Sequence, residues 1–95
     1  MLNGKQKRFL RSLALNEREI FQLGKDGLSD NYIEQIDHAL GARELVKISV
    51  LKSGPSDLKE VSFDLARLTK SEVVQIIGRT IVLYRKGRSP KIILP

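Results

Sequence analysis

Val73-Val74-Gln75-Ile76-Ile77 and Ile81-Val82-Leu83-Tyr84 are two apolar runs held apart only by Gly78-Arg79-Thr80. Apolar residues occur at successive positions rather than alternate ones, the pattern of strands covered on both faces. Both runs are therefore expected in the middle of a sheet. The spacing suits a tight hairpin with Gly78 supplying a positive φ and Arg79 placed at the turn.

Upstream of the hairpin, Leu58, Val61, Leu65 and Leu68 recur at helical spacing, which predicts a helix over 56–68 with Ser56 as N-cap. Gly54-Pro55 marks a turn over 52–56, and Leu45-Val46-Lys47-Ile48-Ser49-Val50-Leu51 alternates as a strand with one face on a core. Before it, Ser29 can cap a helix with Asp30 in its first turn. Tyr32, Ile33, Ile36 and Leu40 form the buried stripe, and Gly41 or Ala42 is expected to end it. Ile20-Phe21-Gln22-Leu23 reads as a short strand running into Gly24-Lys25-Asp26-Gly27. Residues 5–15 form an amphipathic helix with Phe9, Leu10 and Leu13 on its apolar stripe and Leu2 projecting onto it. The tail, residues 86–95, is polar through Pro90 and then runs Ile92-Ile93-Leu94, so it is either flexible or has an end that docks or adds an edge strand. The order is α-β-α-β-α-β-β. This predicts one compact α/β domain over 1–95, with a mixed sheet of about four strands and helices on both faces.

Composition agrees with one small core. The chain has 95 residues, of which 41% are hydrophobic and 29% charged. A domain of this size buries roughly two thirds of its unfolded surface, which leaves no room for a deep enclosed cofactor cavity. With no cysteine there is no disulfide, thiolate nucleophile or cysteine zinc site. Behind Met-Leu-Asn-Gly-Lys-Gln-Lys-Arg there is no apolar leader segment, and no stretch has the length of a membrane span. A soluble, cytoplasmic protein with no membrane association is expected.

The net charge of +6 is unevenly spread. Residues 1–25 carry six bases against two acids, residues 26–78 six against nine, and residues 79–95 five bases with no acid. If the fold brings the two basic ends together, the natural partner of that surface is a polyanion such as nucleic acid. On the first helix, Lys5, Lys7, Arg8 and Arg11 fill the polar arc without an acidic residue to pair with them. That arc is either a phosphate-binding face or a solvated one.

Catalytic groups are few. His38, the only histidine, sits beside Glu34, Gln35 and Asp37 and reads as a surface residue. No HExxH, cysteine pair or triad is present, and Asp30, Glu34 and Asp37 read as the solvent face of a helix rather than a metal site. Gly24-Lys25-Asp26-Gly27 lacks the GxxxxGK[ST] spacing of nucleotide hydrolases. Two glycines do let a backbone approach a ligand closely, and a helix starting near Ser29 would aim its N–H groups and positive dipole end at the loop. A GxxG loop clamps a nucleic-acid backbone this way in KH modules, with Lys25 adding a charge at the tip. An ordinary strand-to-helix turn would give the same four residues. With no Trp, and with Phe9, Phe21, Phe63, Tyr32 and Tyr84 mostly on core stripes, recognition through backbone and shape is expected to dominate over base stacking.

Four ordered blocks carry a resemblance that covers nearly the whole chain: Leu2-Asn3-Gly4-Lys5-Gln6-Lys7-Arg8-Phe9-Leu10-Arg11, Gln22-Leu23-Gly24-Lys25-Asp26-Gly27-Leu28, Ala42-Arg43-Glu44-Leu45-Val46-Lys47, and Val74-Gln75-Ile76-Ile77-Gly78-Arg79-Thr80-Ile81-Val82-Leu83-Tyr84-Arg85. They resemble the CRM domain family, named for chloroplast RNA splicing and ribosome maturation, in its stand-alone bacterial YhbY-like branch. The closing Lys91-Ile92-Ile93-Leu94-Pro95 fits as well. The resemblance implies a fold similar to the C-terminal domain of translation initiation factor three, RNA binding, association with large ribosomal subunit precursors, and no catalytic activity. It implies no cofactor, metal or small-molecule substrate. Carried over by position, the GxxG loop falls on Gly24, Lys25, Asp26 and Gly27, the basic helix on Lys5, Lys7, Arg8 and Arg11, and the glycine-basic turn on Gly78 and Arg79. Arg85, Lys86 and Arg88 are expected to extend the footprint. Two positions depart from the pattern: Asp26 puts a negative charge in the loop, and Thr69-Lys70-Ser71-Glu72 lacks the glycine that often ends the preceding helix. A module docking an acidic protein is the alternative from a different class, and an RNA-cleaving enzyme dependent on His38 is a distant third.

Overall fold

The computed structural model describes residues 2–18 and 21–95. In chain order the elements are α1 (Gly4–Ala14), β1 (Phe21–Leu23), α2 (Asp30–Arg43), β2 (Leu45–Val50), α3 (Leu58–Thr69), β3 (Glu72–Ile77) and β4 (Thr80–Tyr84). The sheet runs β1-β2-β4-β3, with β1 parallel to β2 and the other neighbours antiparallel. The expected α/β class, element order and mixed four-stranded sheet are all present. Ile20, read as the first residue of the first strand, lies outside the described residues.

Period-two alternation on the two central strands builds both cores. Val46, Ile48 and Val50 of β2 and Ile81 and Leu83 of β4 pack with Ile36 and Leu40 of α2 and Val61 and Leu65 of α3. The intervening Leu45, Val82 and Tyr84 pack on the other face with Leu2, Leu10 and Ala14 at α1. The doubly apolar pattern of Ile81-Val82-Leu83-Tyr84 is thus that of a central strand. For Val73 to Ile77 the same expectation needs correction. β3 is an edge strand and Ile77 is 59% exposed. It carries apolar residues on both faces because α3 lies over one and α1 over the other. A bulge between Val73 and Gln75 interrupts its pairing to β4, a common feature of sheet edges. The hairpin turn consists of Gly78 and Arg79 alone, with Gly78 at φ 57° and Thr80 already opposite Ile77.

Helix ends differ from the sequence reading in several places, each for a local reason. Asn3 caps α1 through a reciprocal capping box with Gln6, so the helix starts at Gly4 and leaves Leu15 outside it. Gly41 and Ala42 do not end α2. It continues to Arg43 and stops at Glu44, whose φ is 68° and whose N–H donates to the Leu40 carbonyl. Asp57, not Ser56, caps α3 by accepting from the Glu60 N–H. Leu68 is not on the inward stripe: it is 47% exposed, and the buried positions are Val61, Ser62, Leu65, Ala66 and Thr69. The two hydroxyls are tolerated there because each donates to a carbonyl of its own helix, Ser62 to Lys59 and Thr69 to Leu65. Lys70 takes the left-handed cap that ends α3, at φ 54°.

Candidate nucleic-acid interface

The sheet has two ends, and the candidate residues are divided between them. At one end lie Leu23 opposite Val50 and Ile77 opposite Thr80; at the other, Leu45 opposite Tyr84 and Tyr84 opposite Glu72.

The glycine loop belongs to the first end. Gly27 donates its N–H to the Gly24 carbonyl at 3.0 Å and takes φ 62°, closing a turn with the exposed Lys25 and Asp26 at its tip. Ser29 then caps α2, as the sequence predicts, its Oγ accepting from the Tyr32 N–H. Lys25 has no ion-pair partner among the described residues.

Residues 51–55 pack directly against this turn. The Leu51 N–H donates to the Leu23 carbonyl at 2.9 Å, continuing the parallel pairing of β1 with β2. At Gly54 a Cβ would stand 2.6 Å from the Leu23 carbonyl oxygen and 3.3 Å from that of Gly24, so only glycine fits without movement. The exposed Lys52 is thereby held at the same end of the sheet as Lys25. Sequence reasoning missed it. The signal was the parallel pairing of β1 and β2, which sets the segments after both strands side by side.

Arg79 also sits at this end, but its guanidinium is engaged within the fold. Nε donates to the Val50 carbonyl at 2.8 Å and Nη2 to the Leu51 carbonyl at 2.7 Å. The β3–β4 turn is thereby fastened to the segment that supports the glycine loop.

Arg85, Lys86 and Arg88 lie at the opposite end. Arg85 clamps two helices together: Nη1 donates to Asp37 Oδ1 at 2.6 Å and to the Thr69 carbonyl at 2.7 Å, and Nη2 donates to the Asp37 carbonyl. Lys86 and Arg88 are exposed on a tail held by Glu44. Glu44 Oε2 accepts from the Gly87 N–H, and Oε1 from the N–H groups of Lys91 and Ile92. Burial pushes the Glu44 carboxyl up, but these three donors and the Lys91 charge outweigh it and hold the group below the ordinary carboxylate value. Sequence reasoning missed Glu44 too, for nothing local distinguishes it from a surface glutamate.

On the first helix, Lys5, Arg8 and Arg11 are exposed and Lys7 is half-buried. α1 begins at the end away from the glycine loop, where the Leu2 N–H donates to Glu72. Ile92 and Leu94 of the tail pack into the core under α1, and Gln6 donates to the Pro95 carbonyl. The two chain termini therefore meet on the sheet face opposite α2 through Ile92, Leu94 and Pro95, whereas the basic residues Arg85, Lys86, Arg88 and Lys91 lie with Gly41 and Ala42 at the C-terminal end of α2.

Beside the Gly24-Lys25-Asp26-Gly27 turn the structure has a concavity of ≈ 630 Å³, bounded by Gln22, the loop and α2 as far as His38. Tyr32 lines it, its phenol raised above the usual range by burial and its hydroxyl unpartnered among the described residues. His38, on the same helix, is exposed and 4.0 Å from Glu34. No group of three or more metal-ligating side chains is assembled among the described residues.

Known proteins resemble this chain in sequence and fold. Over 91 residues the chain is 52% identical to a Bacillus subtilis protein named Probable RNA-binding protein YqeI, covering 96% of this chain and 95% of that one. It is 36% identical over 94 residues to a Haemophilus influenzae protein named RNA-binding protein, covering 99% and 95%. The solution structure of a hypothetical protein from Staphylococcus aureus, described as a candidate RNA-binding protein, superposes with a TM-score of 0.84 at 51% identity and full coverage of both chains. Residues 2–85 match the CRS1 / YhbY (CRM) domain, and with these relatives alongside, the chain belongs to that family.

Proposed function

We propose that this protein is an RNA-binding factor of the cytoplasm that associates with precursors of the large ribosomal subunit and assists their assembly. The observation that carries the RNA reading is the exposed, unpaired Lys25 at the tip of a two-glycine turn that opens directly into the N-terminus of α2. Backbone N–H groups and the positive end of the helix dipole favour an anion at that place. Asp26 lowers the net charge of the turn, so Lys25 and its neighbour Lys52 carry the electrostatic contact to phosphate. The basic face of α1 extends the contact on the other sheet face, and Lys86 and Arg88 of the tail extend it at the C-terminal end of α2. RNA bound at the turn and at α1 would have to pass around the domain or come from two segments of a folded RNA. The names of the relatives support RNA as the partner, and the family resemblance supplies the ribosomal precursor. The function proposed is binding, without a reaction.

The test is a sucrose-gradient profile of lysate at moderate salt, blotted for this protein with and without RNase. RNase-sensitive comigration with immature large subunits is the expected result. Confinement to the top of the gradient after crosslinking would refute the assembly role. Comigration that survives RNase would favour a protein partner instead.

A further inference from the structure

The concavity beside the glycine turn has a lining that a phosphate clamp does not require. Its ≈ 630 Å³ lies within the range of small-ligand sites, about 300–1,000 Å³. Three amide side chains line it, Gln22 from β1 and Asn31 and Gln35 from α2. Its charged lining residues are Lys25 against Asp26 and Glu34, and His38, 4.0 Å from Glu34, lines it as well. Two carboxylates facing one ammonium disfavour phosphate in the body of the concavity and leave Lys25, at the turn, as its point of contact with the backbone. What suits the remaining space is an uncharged group with a flat apolar face and a polar edge. Tyr32 gives the space an aromatic wall, and its buried hydroxyl lacks a partner among the described residues.

An unpaired nucleobase has that chemistry. Single-stranded RNA is read by splaying bases out, packing them on aromatic side chains and hydrogen-bonding their edges. Asn and Gln amides match the adjacent donor and acceptor of adenine, and carboxylates accept from the exocyclic amine of cytosine. Uracil has no exocyclic amine: its two carbonyl acceptors flank a single N3–H, and those carbonyls would face Asp26 and Glu34 lone pair to lone pair.

We propose that this concavity receives one unpaired base of the RNA whose backbone the glycine turn holds, and that it selects bases carrying an exocyclic amine over uracil. The inference rests on the RNA-binding reading and adds a base-reading element at one nucleotide, where the sequence pointed to backbone and shape alone. Gln22 and Gln35 are the specificity-determining residues. Both are exposed side chains, so their truncation leaves the cores intact.

The experiment measures fluorescence polarisation of the full chain with labelled A-, C- and U-oligonucleotides of equal length at one moderate salt concentration. The A- and C-oligonucleotides are expected to bind tighter than the U-oligonucleotide by about fivefold or more, the lower limit for one well-made base contact. The Gln22→Ala/Gln35→Ala double variant, checked for an unchanged melting transition, should bring A and C to the affinity of U and leave U unaltered. Lys25→Glu should weaken all three in parallel. Equal binding of A, C and U by the wild type, or a preference that survives in the double variant, overturns this inference and leaves RNA binding standing. Failure of all three to bind overturns the RNA reading and this inference together.

Discussion

Glu44 and Gly87, 43 positions apart in the chain, are joined by a 2.6 Å hydrogen bond from the Gly87 N–H to the Glu44 carboxylate. A Cβ at Gly87 would stand 3.1 Å from that oxygen, so the tail backbone lies almost on the carboxylate. Two more N–H groups, of Lys91 and Ile92, converge on the other oxygen. The residue that ends α2 thus also fixes the tail, which in turn places Ile92 and Leu94 under α1.

Glu44→Ala removes the acceptor of three backbone donors and should destabilise the domain by about 2–4 kcal/mol, since unpaired buried donors cost about 1–3 kcal/mol each and some regain water. Glu44→Gln should be intermediate, because its amide nitrogen would confront an N–H. Urea unfolding measures the destabilisation, and hydrogen exchange at Gly87, Lys91 and Ile92 should show the tail released first. Unchanged protection at those three amides in Glu44→Ala would contradict the latch.

The same carboxylate sets an acid limit. Its folded pKa lies below the ordinary value of 4.5, so the charged form contributes stability that is fully present above that value. The contribution fades as pH falls through the ordinary range and is gone below the lowered folded value. Stability measured from pH 7 downward should therefore drop more steeply in the wild type than in Glu44→Gln, beginning near pH 4.5. Parallel pH profiles for the two proteins would show that Glu44 does not carry the effect.

The different legibility of the parts has physical causes. Strand and helix identities follow from local periodicity, so Ile81-Val82-Leu83-Tyr84 and the stripe of Ile36 and Leu40 could be read directly. The edge position of β3 could not, because apolar residues on both faces report helices above and below the strand and say nothing of its lateral neighbours. Leu68 and Thr69 exchanged roles for a related reason: hydropathy cannot foresee that a hydroxyl will bond its own helix backbone and so be buried at little cost. Ser29 and the Gly24-Lys25-Asp26-Gly27 turn were legible because caps and positive-φ glycines are local devices. The fold contacts of Arg79, Arg85 and Glu44 and the placement of Lys52 were not legible, because each is decided by partners 16 to 48 residues away or by the packing of one loop on another.

Gly54 tests the support beneath the glycine turn. Gly54→Ala would press a methyl group against the Leu23 and Leu51 carbonyl oxygens, both backbone atoms of paired segments that cannot swing aside. A destabilisation of about 1–3 kcal/mol is expected, as for other overpacked sites. Gly27→Ala has open space around its Cβ but inherits φ 62°, so its cost, about 1 kcal/mol, is conformational. Thermal melting ranks the two, and Gly54→Ala should be the worse.

Arg79 should act on binding only through position. Arg79→Ala removes two hydrogen bonds to the carbonyls of Val50 and Leu51 and is expected to cost about 1–3 kcal/mol of stability. Its effect on RNA affinity should appear as a uniform weakening with little change in salt dependence, because two of its donors are directed at carbonyls of the fold rather than at phosphate. A fall in the salt slope equal to that of a phosphate-contacting lysine would instead make Arg79 a direct contact.

Lys25 and Lys52 make the opposite prediction, and the contrast separates contact from support. Each is exposed and holds no ion pair among the described residues, so Lys25→Glu and Lys52→Glu should leave the melting temperature within experimental spread. Each should weaken binding to structured RNA and make log K less dependent on log salt by about 0.7–1 for every phosphate that is no longer neutralised. Arg8→Glu and Arg11→Glu on α1 probe the other sheet face by the same readout. If one continuous RNA spans both surfaces, the reductions in slope at Lys25 and at Arg8 should add in the combined variant. If two RNA segments bind separately, a short oligonucleotide should respond to the variants on one face and ignore those on the other. Lysine variants that bind structured RNA with the wild-type slope would remove the glycine-loop end of the sheet from the interface.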